Sequence, residues 1–153
     1  LAGVRLVFGD VSRVYVQEHR TESFERDDLE GTMSALLTME TGLNVNVVQS
    51  PETRFPGNAG GYLVHGETGS IRATAGSYEL FAEGEDPAPR SYPGSDLDSY
   101  ALEFRAFADY VRGDESVPTT GVSERKTLAV IQAGAESAVS GQAVDIGERF
   151  GAL

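Results

Sequence analysis

The sequence predicts an α+β domain, an open-faced, mainly antiparallel β-sheet with helices covering one face. Three observations carry this. Strand patterns fill the first part of the chain and helix patterns the last third, an order that argues against alternating βαβ units. Residues 32–40 and 43–49 alternate apolar and polar positions on either side of Thr41 and Gly42, the pattern of an antiparallel hairpin. Residues 97–112 and 123–140 are each apolar along a single stripe, so each helix has one face to bury.

Residues 1–8 read as a helix, closed by a turn at Gly9 and Asp10. Residues 11–19 form a first strand with Val14 and Val16 on one face, and the polar run TESFERDDLEG after it is a loop. In 32–40, Met33, Ala35, Leu37 and Met39 point one way. Thr32, Ser34, Thr38 and Glu40 point the other, with Leu36 the apolar exception. In 43–49, Leu43, Val45 and Val47 oppose Asn44, Asn46 and Val48. The segment SPETRFPGNAGG, with two prolines and three glycines, is a long loop. Short strands follow at 62–65, 70–75 and 78–82, turned by GETG and GS. EGEDPAPRSYPGSD is an extended linker ending at a helix N-cap, Ser95 or Asp96.

In the helix 97–112, Leu97, Tyr100, Ala101, Phe104, Phe107, Ala108 and Val111 recur at helical spacing, and Gly113 stops it. In 123–140 the apolar stripe reads as Leu128, Ile131, Ala135 and Ala138. With Ala133 and Gly134 beside it the helix is thin, suited to close approach to a sheet. Gly141 is its C-cap and 143–146 a final strand.

The chain has 153 residues, enough for one domain with its own core and no need of disulfides or metals. It has no cysteine, which excludes disulfide scaffolds, thiolate nucleophiles and cysteine zinc sites and is compatible with a reducing, cytoplasmic compartment. No apolar run approaches the roughly 20 residues of a membrane span. Acidic residues number 24 against 12 basic, a net charge of -12, so nucleic acid and anionic membrane are poor partners. Lys126 is the only lysine. An acidic, lysine-poor surface resembles that of proteins from high-salt cytoplasm, although a GC-rich genome favouring arginine codons yields the same composition.

The second face of the predicted hairpin bears Thr32, Ser34, Thr38, Asn44 and Asn46 together with Leu36 and Val48. That mixture is too apolar for bare solvent and too polar for a core, which suits contact with a second subunit; an ordinary wet sheet face is the alternative. Arg72 and Thr74 continue the patch if their strand shares the sheet and its register. His19 and His65 are the only histidines, each at a strand end and neither with a partner at metal spacing, so no metal site is expected. Asp27 with Asp28, and Glu83 with Glu85 and Asp86, are carboxylate pairs of the kind that chance supplies in so acidic a chain.

The order helix, strand, hairpin, then YLVHGETGSIRA, then LDSYALEFRAFADYVRGDESVPTTGVSERKTLAVIQAGAESAVSGQAVDI resembles the C-terminal domain of the glucose-fructose oxidoreductase / inositol dehydrogenase (Gfo/Idh/MocA) family across essentially the whole chain. The most specific parts are the Gly66, Gly69, Ser70 turn, the Tyr100, Glu103, Phe107 spacing closed by Gly113, and the pattern Ala135, Ser137, Ala138, Gly141, Val144. The resemblance implies a single domain, 1–153, whose upstream Rossmann partner would bind NAD or NADP. No strand, glycine fingerprint and helix occur in that order here: Gly57, Gly60 and Gly61 lie in a proline-containing loop.

The family's Glu-Lys-Pro lysine would lie upstream, and Lys126 reads as a surface residue. The family's catalytic histidine would fall just before Leu1, and Ala2 stands where many members carry an aspartate. No catalytic residue is therefore expected in this chain, which alone should be inactive. What the resemblance leaves to it is a sugar, polyol or related hydroxy-compound pocket, with His19 and Arg20 as the best contacts and Arg54 as a third, and a homo-oligomer interface. A non-catalytic member sensing a sugar or nucleotide, and a stand-alone sheet module for association, are the alternatives.

Overall fold

The computed structural model describes residues 1–22, 31–52, 60–74, 76–92, 99–114, 116–117 and 119–153. In chain order these form α1 (Ala2–Phe8), β1 (Val11–His19), β2 (Thr32–Met39), β3 (Asn44–Gln49), β4 (Gly61–His65), β5 (Gly69–Thr74), β6 (Ser77–Ala82), β7 (Arg90–Ser91), α2 (Ser99–Val111), α3 (Gly121–Ser140), β8 (Val144–Asp145) and α4 (Ile146–Phe150). The α+β class and the open antiparallel sheets match the sequence reading. The strands make two sheets, ordered β3-β2-β1-β8 and β4-β5-β6-β7. The chain divides into two compact units, Leu1–Thr53 with Phe107–Leu153, and Arg54–Ala106. Among the described residues no helix is long and apolar enough to cross a membrane.

In the first unit the hairpin has the expected register, with Leu37 opposite Val45 and Leu36 opposite Asn46. Because opposed residues share a face, Met33, Ala35, Leu37 and Met39 line one side with Val45 and Val47. An irregularity between Val11 and Arg13 lets Val11 join Val14 and Val16 on that side, where strict alternation would have turned it away. Ser12 Oγ donates to the Thr38 carbonyl at 3.0 Å across this irregularity. The core gathers Val4, Val11, Val14, Val16, Leu37, Met39, Ala129, Val130, Ala133 and Ile146.

α3 covers that face, and its buried side is Thr127, Ala129, Val130, Ala133, Gly134 and Ser137. The stripe expected from the sequence is corrected here: Leu128 is 65% and Ile131 51% exposed. Close approach selects small residues, since a Cβ at Gly134 would stand 3.3 Å from Val16 Cγ2. At the same contact the Val16 amide, beyond the end of the two-residue β8, donates to Ser137 Oγ at 2.9 Å. Thr120 caps the start of α3, and Gly141, at φ 68°, ends it as expected. After β8 the chain turns at once into α4, a helix that the sequence reading had not anticipated.

α2 keeps its predicted spacing and its stop at Gly113, but Tyr100, Phe104, Phe107 and Val111 are exposed. The core face of the first sheet is already occupied by α3. The N-cap candidates Ser95 and Asp96 lie outside the described residues. In the second unit, β7 forms within the expected linker by pairing with β6. The rings of Tyr78 and Tyr92 stack there at 5.5 Å, and the Tyr92 hydroxyl donates to the Thr74 carbonyl at 2.7 Å.

Candidate functional site

β1 ends in His19, exposed and opposite the first residue of β2, Thr32. Arg20 follows, half-buried. The chain re-enters through Gly31, whose amide donates to Glu18 Oε1 at 2.8 Å. Glycine is required at this position because a Cβ would lie 2.3 Å from the His19 carbonyl oxygen. Beyond β3, Glu52 reaches back across the same edge. One carboxylate oxygen accepts the Thr21 amide and hydroxyl at 2.7 and 3.1 Å. The other accepts the Thr32 amide and hydroxyl at 3.2 and 2.7 Å. The Thr32 hydroxyl first, then the Thr21 amide, hold the Glu52 carboxyl below its ordinary value of 4.5. His19 and Arg20 are thus brought to one polar strand edge, and Arg54 lies outside the described residues. Sequence reasoning missed Glu52, which sits in a loop segment with no periodic signal.

A second polar cluster occupies the opposite end of β1. Arg5 donates from Nε and Nη2 to Asp10 Oδ1 at 3.1 and 2.7 Å. Its Nη1 donates to the Ser123 carbonyl at 2.8 Å and to Thr127 Oγ1 at 2.7 Å. Lys126 Nζ donates to Asp10 Oδ2 at 2.5 Å. Lys126, read from the sequence as a surface residue, is two-thirds buried in this ion pair. The pairing with Lys126 is the largest cause of the lowered Asp10 pKa. A cleft of about 360 Å³ opens beside it, lined in part by Glu40, Asp145 and Ile146. Both Asp10 oxygens are engaged, so the cluster is a junction joining α1, the following turn and α3.

The remaining candidates separate. His65 Nδ1 lies 2.9 Å from Ser70 Oγ on an exposed hairpin of the second unit. Glu85 pairs with Arg90 at 2.6 Å and Asp86 accepts the Ala88 amide at 3.1 Å, so both are committed to the local turn. Asp27 and Asp28 lie outside the described residues. Among those described, no group of three potential ligands could hold a metal ion.

On the open face of the first sheet, Thr32, Ser34, Leu36 and Thr38 stand beside Asn44, Asn46 and Val48, with Leu36 42% and Val48 72% exposed. β1 adds Arg13, Tyr15 and Gln17 to the same face, a row that sequence reasoning missed. Arg72 and Thr74 do not continue it. They belong to β5 in the other sheet, where Arg72 pairs with Glu79 and Thr74 Oγ1 donates to the Ser77 carbonyl at 3.1 Å.

Thr120 Oγ1 takes the Ser123 amide at the start of α3, and Asp145 Oδ1 takes the Glu148 amide at the start of α4. Neither start is a glycine turn after a strand presenting free amides to a pyrophosphate.

No family model matches the chain, and no curated protein matches it in sequence. Solved structures do match. An oxidoreductase from Agrobacterium radiobacter, in complex with NAD+, L-tartaric acid and magnesium, is 22% identical with a TM-score of 0.72, over 95% of this chain and 46% of its own. An aldose-aldose oxidoreductase from Caulobacter crescentus complexed with glycerol is 20% identical with a TM-score of 0.79, over 94% of this chain and 44% of its own. Biliverdin reductase from Synechocystis, in complex with biliverdin and NADP+, is 18% identical with a TM-score of 0.71, over 90% of this chain and 43% of its own. The chain therefore spans less than half the length of these oxidoreductases. It shares the fold of somewhat under half of each of these oxidoreductases.

Proposed function

We propose that this chain is the substrate-binding and subunit-pairing portion of an NAD(P)-dependent oxidoreductase that moves hydride between a C–OH of a sugar, polyol or related hydroxy compound and the nicotinamide. The observation that carries the reading is the match, over nearly the whole chain, to somewhat under half of oxidoreductases solved with NAD+ or NADP+. Two of them hold polyhydroxylated molecules, L-tartaric acid and glycerol. In this reading an upstream domain supplies the cofactor site and the proton-transferring groups. The β1 end supplies His19 and Arg20, whose N–H groups donate to substrate hydroxyls or a carboxylate, and the open face of the first sheet pairs with a second copy.

The test is kinetic, in the longer protein that the reading implies. His19→Ala and Arg20→Ala should each raise KM or lower turnover on a polyol or hydroxy acid, by about 10-fold for one lost charge-assisted contact. The melting temperature of His19→Ala should move little, because His19 is exposed. Unchanged kinetics in both variants would remove the strand end from the site.

A further inference from the structure

We infer that Glu52 is the positioning residue of this strand edge: its carboxylate ties the segment after β3 to the end of β1 and the start of β2, and so sets the direction in which His19 and Arg20 are presented. The inference rests on the proposed reading of this edge as the substrate-facing one, while the tie itself stands on geometry alone. A carboxylate has about four acceptor positions. All four of those on Glu52 are filled by protein donors, the amide and hydroxyl of Thr21 and the amide and hydroxyl of Thr32.

Two consequences follow from that occupancy. No lone pair remains to accept a substrate hydroxyl or a proton in transit, so Glu52 acts through its neighbours and does not touch substrate. The Thr32 hydroxyl, having given its only proton to Glu52, must accept from Ser50, whose Oγ lies 2.6 Å away, and this fastens the end of β3 into the same set. Glu18 supplies a parallel tie by accepting the Gly31 amide. Three strands end within one hydrogen-bonded set, and His19 lies directly opposite Thr32 within it. A side chain whose backbone neighbours are held in this way loses less freedom on binding a polar ligand, which is how a residue out of reach of substrate raises affinity.

Gln at position 52 keeps the shape but replaces one acceptor oxygen by an NH2 group, which must face either the Thr21 or the Thr32 donors. In the full chain, Glu52→Gln should speed hydrogen exchange by at least about 10-fold at whichever of the Thr21 and Thr32 amides faces the NH2 group, the equivalent of one lost hydrogen bond to a charged group. Exchange at the core amides of Leu37 and Met39 should be unchanged. The ring proton signals of His19 should shift or broaden, a signature that a merely destabilised fold would spread over the whole spectrum. The shifts that a polyol probe such as sorbitol induces at His19 and Arg20 should require higher concentrations. Thr32→Val removes the hydroxyl bond to Glu52 and the contact with Ser50 while keeping the amide, and should reproduce the faster exchange at the amide of position 32 and the His19 changes, so a poorly folding Glu52→Gln does not end the test. Unaltered exchange at Thr21 and Thr32 together with unaltered His19 signals in both variants would overturn the inference. A wild-type chain that ignores sorbitol, while its variants show the exchange and His19 changes, supports the tie and counts against the substrate reading alone.

Discussion

At the scale of single residues, Asp10 joins three parts of the first unit, because Arg5 and Lys126 each hold one of its oxygens. The Arg5 side chain is 8% exposed, so its charge depends on this partner rather than on water. Asp10→Asn leaves two cations around a neutral amide and should cost about 2 kcal/mol, toward the lower end for a partly buried pair, or a fall in melting temperature of about 4–8 °C. The pH dependence has a definite sign. The Asp10 pKa is lowered below 3.8 by Lys126 and then Arg5, so its stabilisation is fully present above that value and is lost as pH falls through the lower, folded value. Calorimetric melts should therefore separate wild type from Asp10→Asn at pH 7 and converge only well below pH 3.8. The Phe8-Gly9-Asp10 turn was legible in the sequence, but its link to Lys126 was not. The two residues are 116 positions apart, and no local pattern encodes such a contact.

At the scale of elements, α3 shows why counting large apolar residues misplaces a helix. Leu128 and Ile131 gave the sequence its stripe, yet the face against β1 is built from Ala133, Gly134 and Ser137. A helix lying this close to a sheet has no room for leucine, and its hydroxyl is needed to satisfy the Val16 amide. Ser137→Ala strands that buried amide and should cost about 1–3 kcal/mol in denaturant melts. Gly134→Leu, forced against Val16, should cost at least about 1–3 kcal/mol. Leu128→Ser should stay within about 0.5 kcal/mol because that side chain faces solvent. If Leu128→Ser destabilises the chain more than Ser137→Ala, the orientation of α3 is wrong. The strands were easier to read: the alternation matches β2 and β3 because period two admits only two faces, although Glu40 and Leu43, expected within the strands, fall outside them and Leu43 is 42% exposed. Sheet membership was not readable, since alternation within a strand carries no information about its partner across a long connection, and Arg72 and Thr74 fell in the other sheet for that reason.

At the scale of the whole molecule, the net charge of -12 sets the terms for self-association. The open face of the first sheet presents Leu36 and Val48 among hydroxyls and amides, and a twofold contact there would place each patch against its own copy. Full burial of one leucine contributes roughly 1.5–3 kcal/mol, while the repulsion between two acidic copies is screened by salt. Association, read by light scattering, should tighten as salt rises, and Leu36→Arg should give folded monomers. A wild-type monomer at every salt concentration, or an undisturbed Leu36→Arg dimer, would rule this surface out. We propose a division of labour, with substrate contacts on this chain and the cofactor held elsewhere. Its most direct test is a nuclear magnetic resonance titration of the chain with NAD+, NADP+, glycerol, sorbitol and L-tartrate in turn. No saturable response to either cofactor is expected, and polyol or hydroxy-acid shifts should be confined to the edge formed by His19, Arg20, Thr21 and Thr32. Saturable micromolar binding of NAD+ or NADP+, or ligand shifts centred away from that edge, would contradict it.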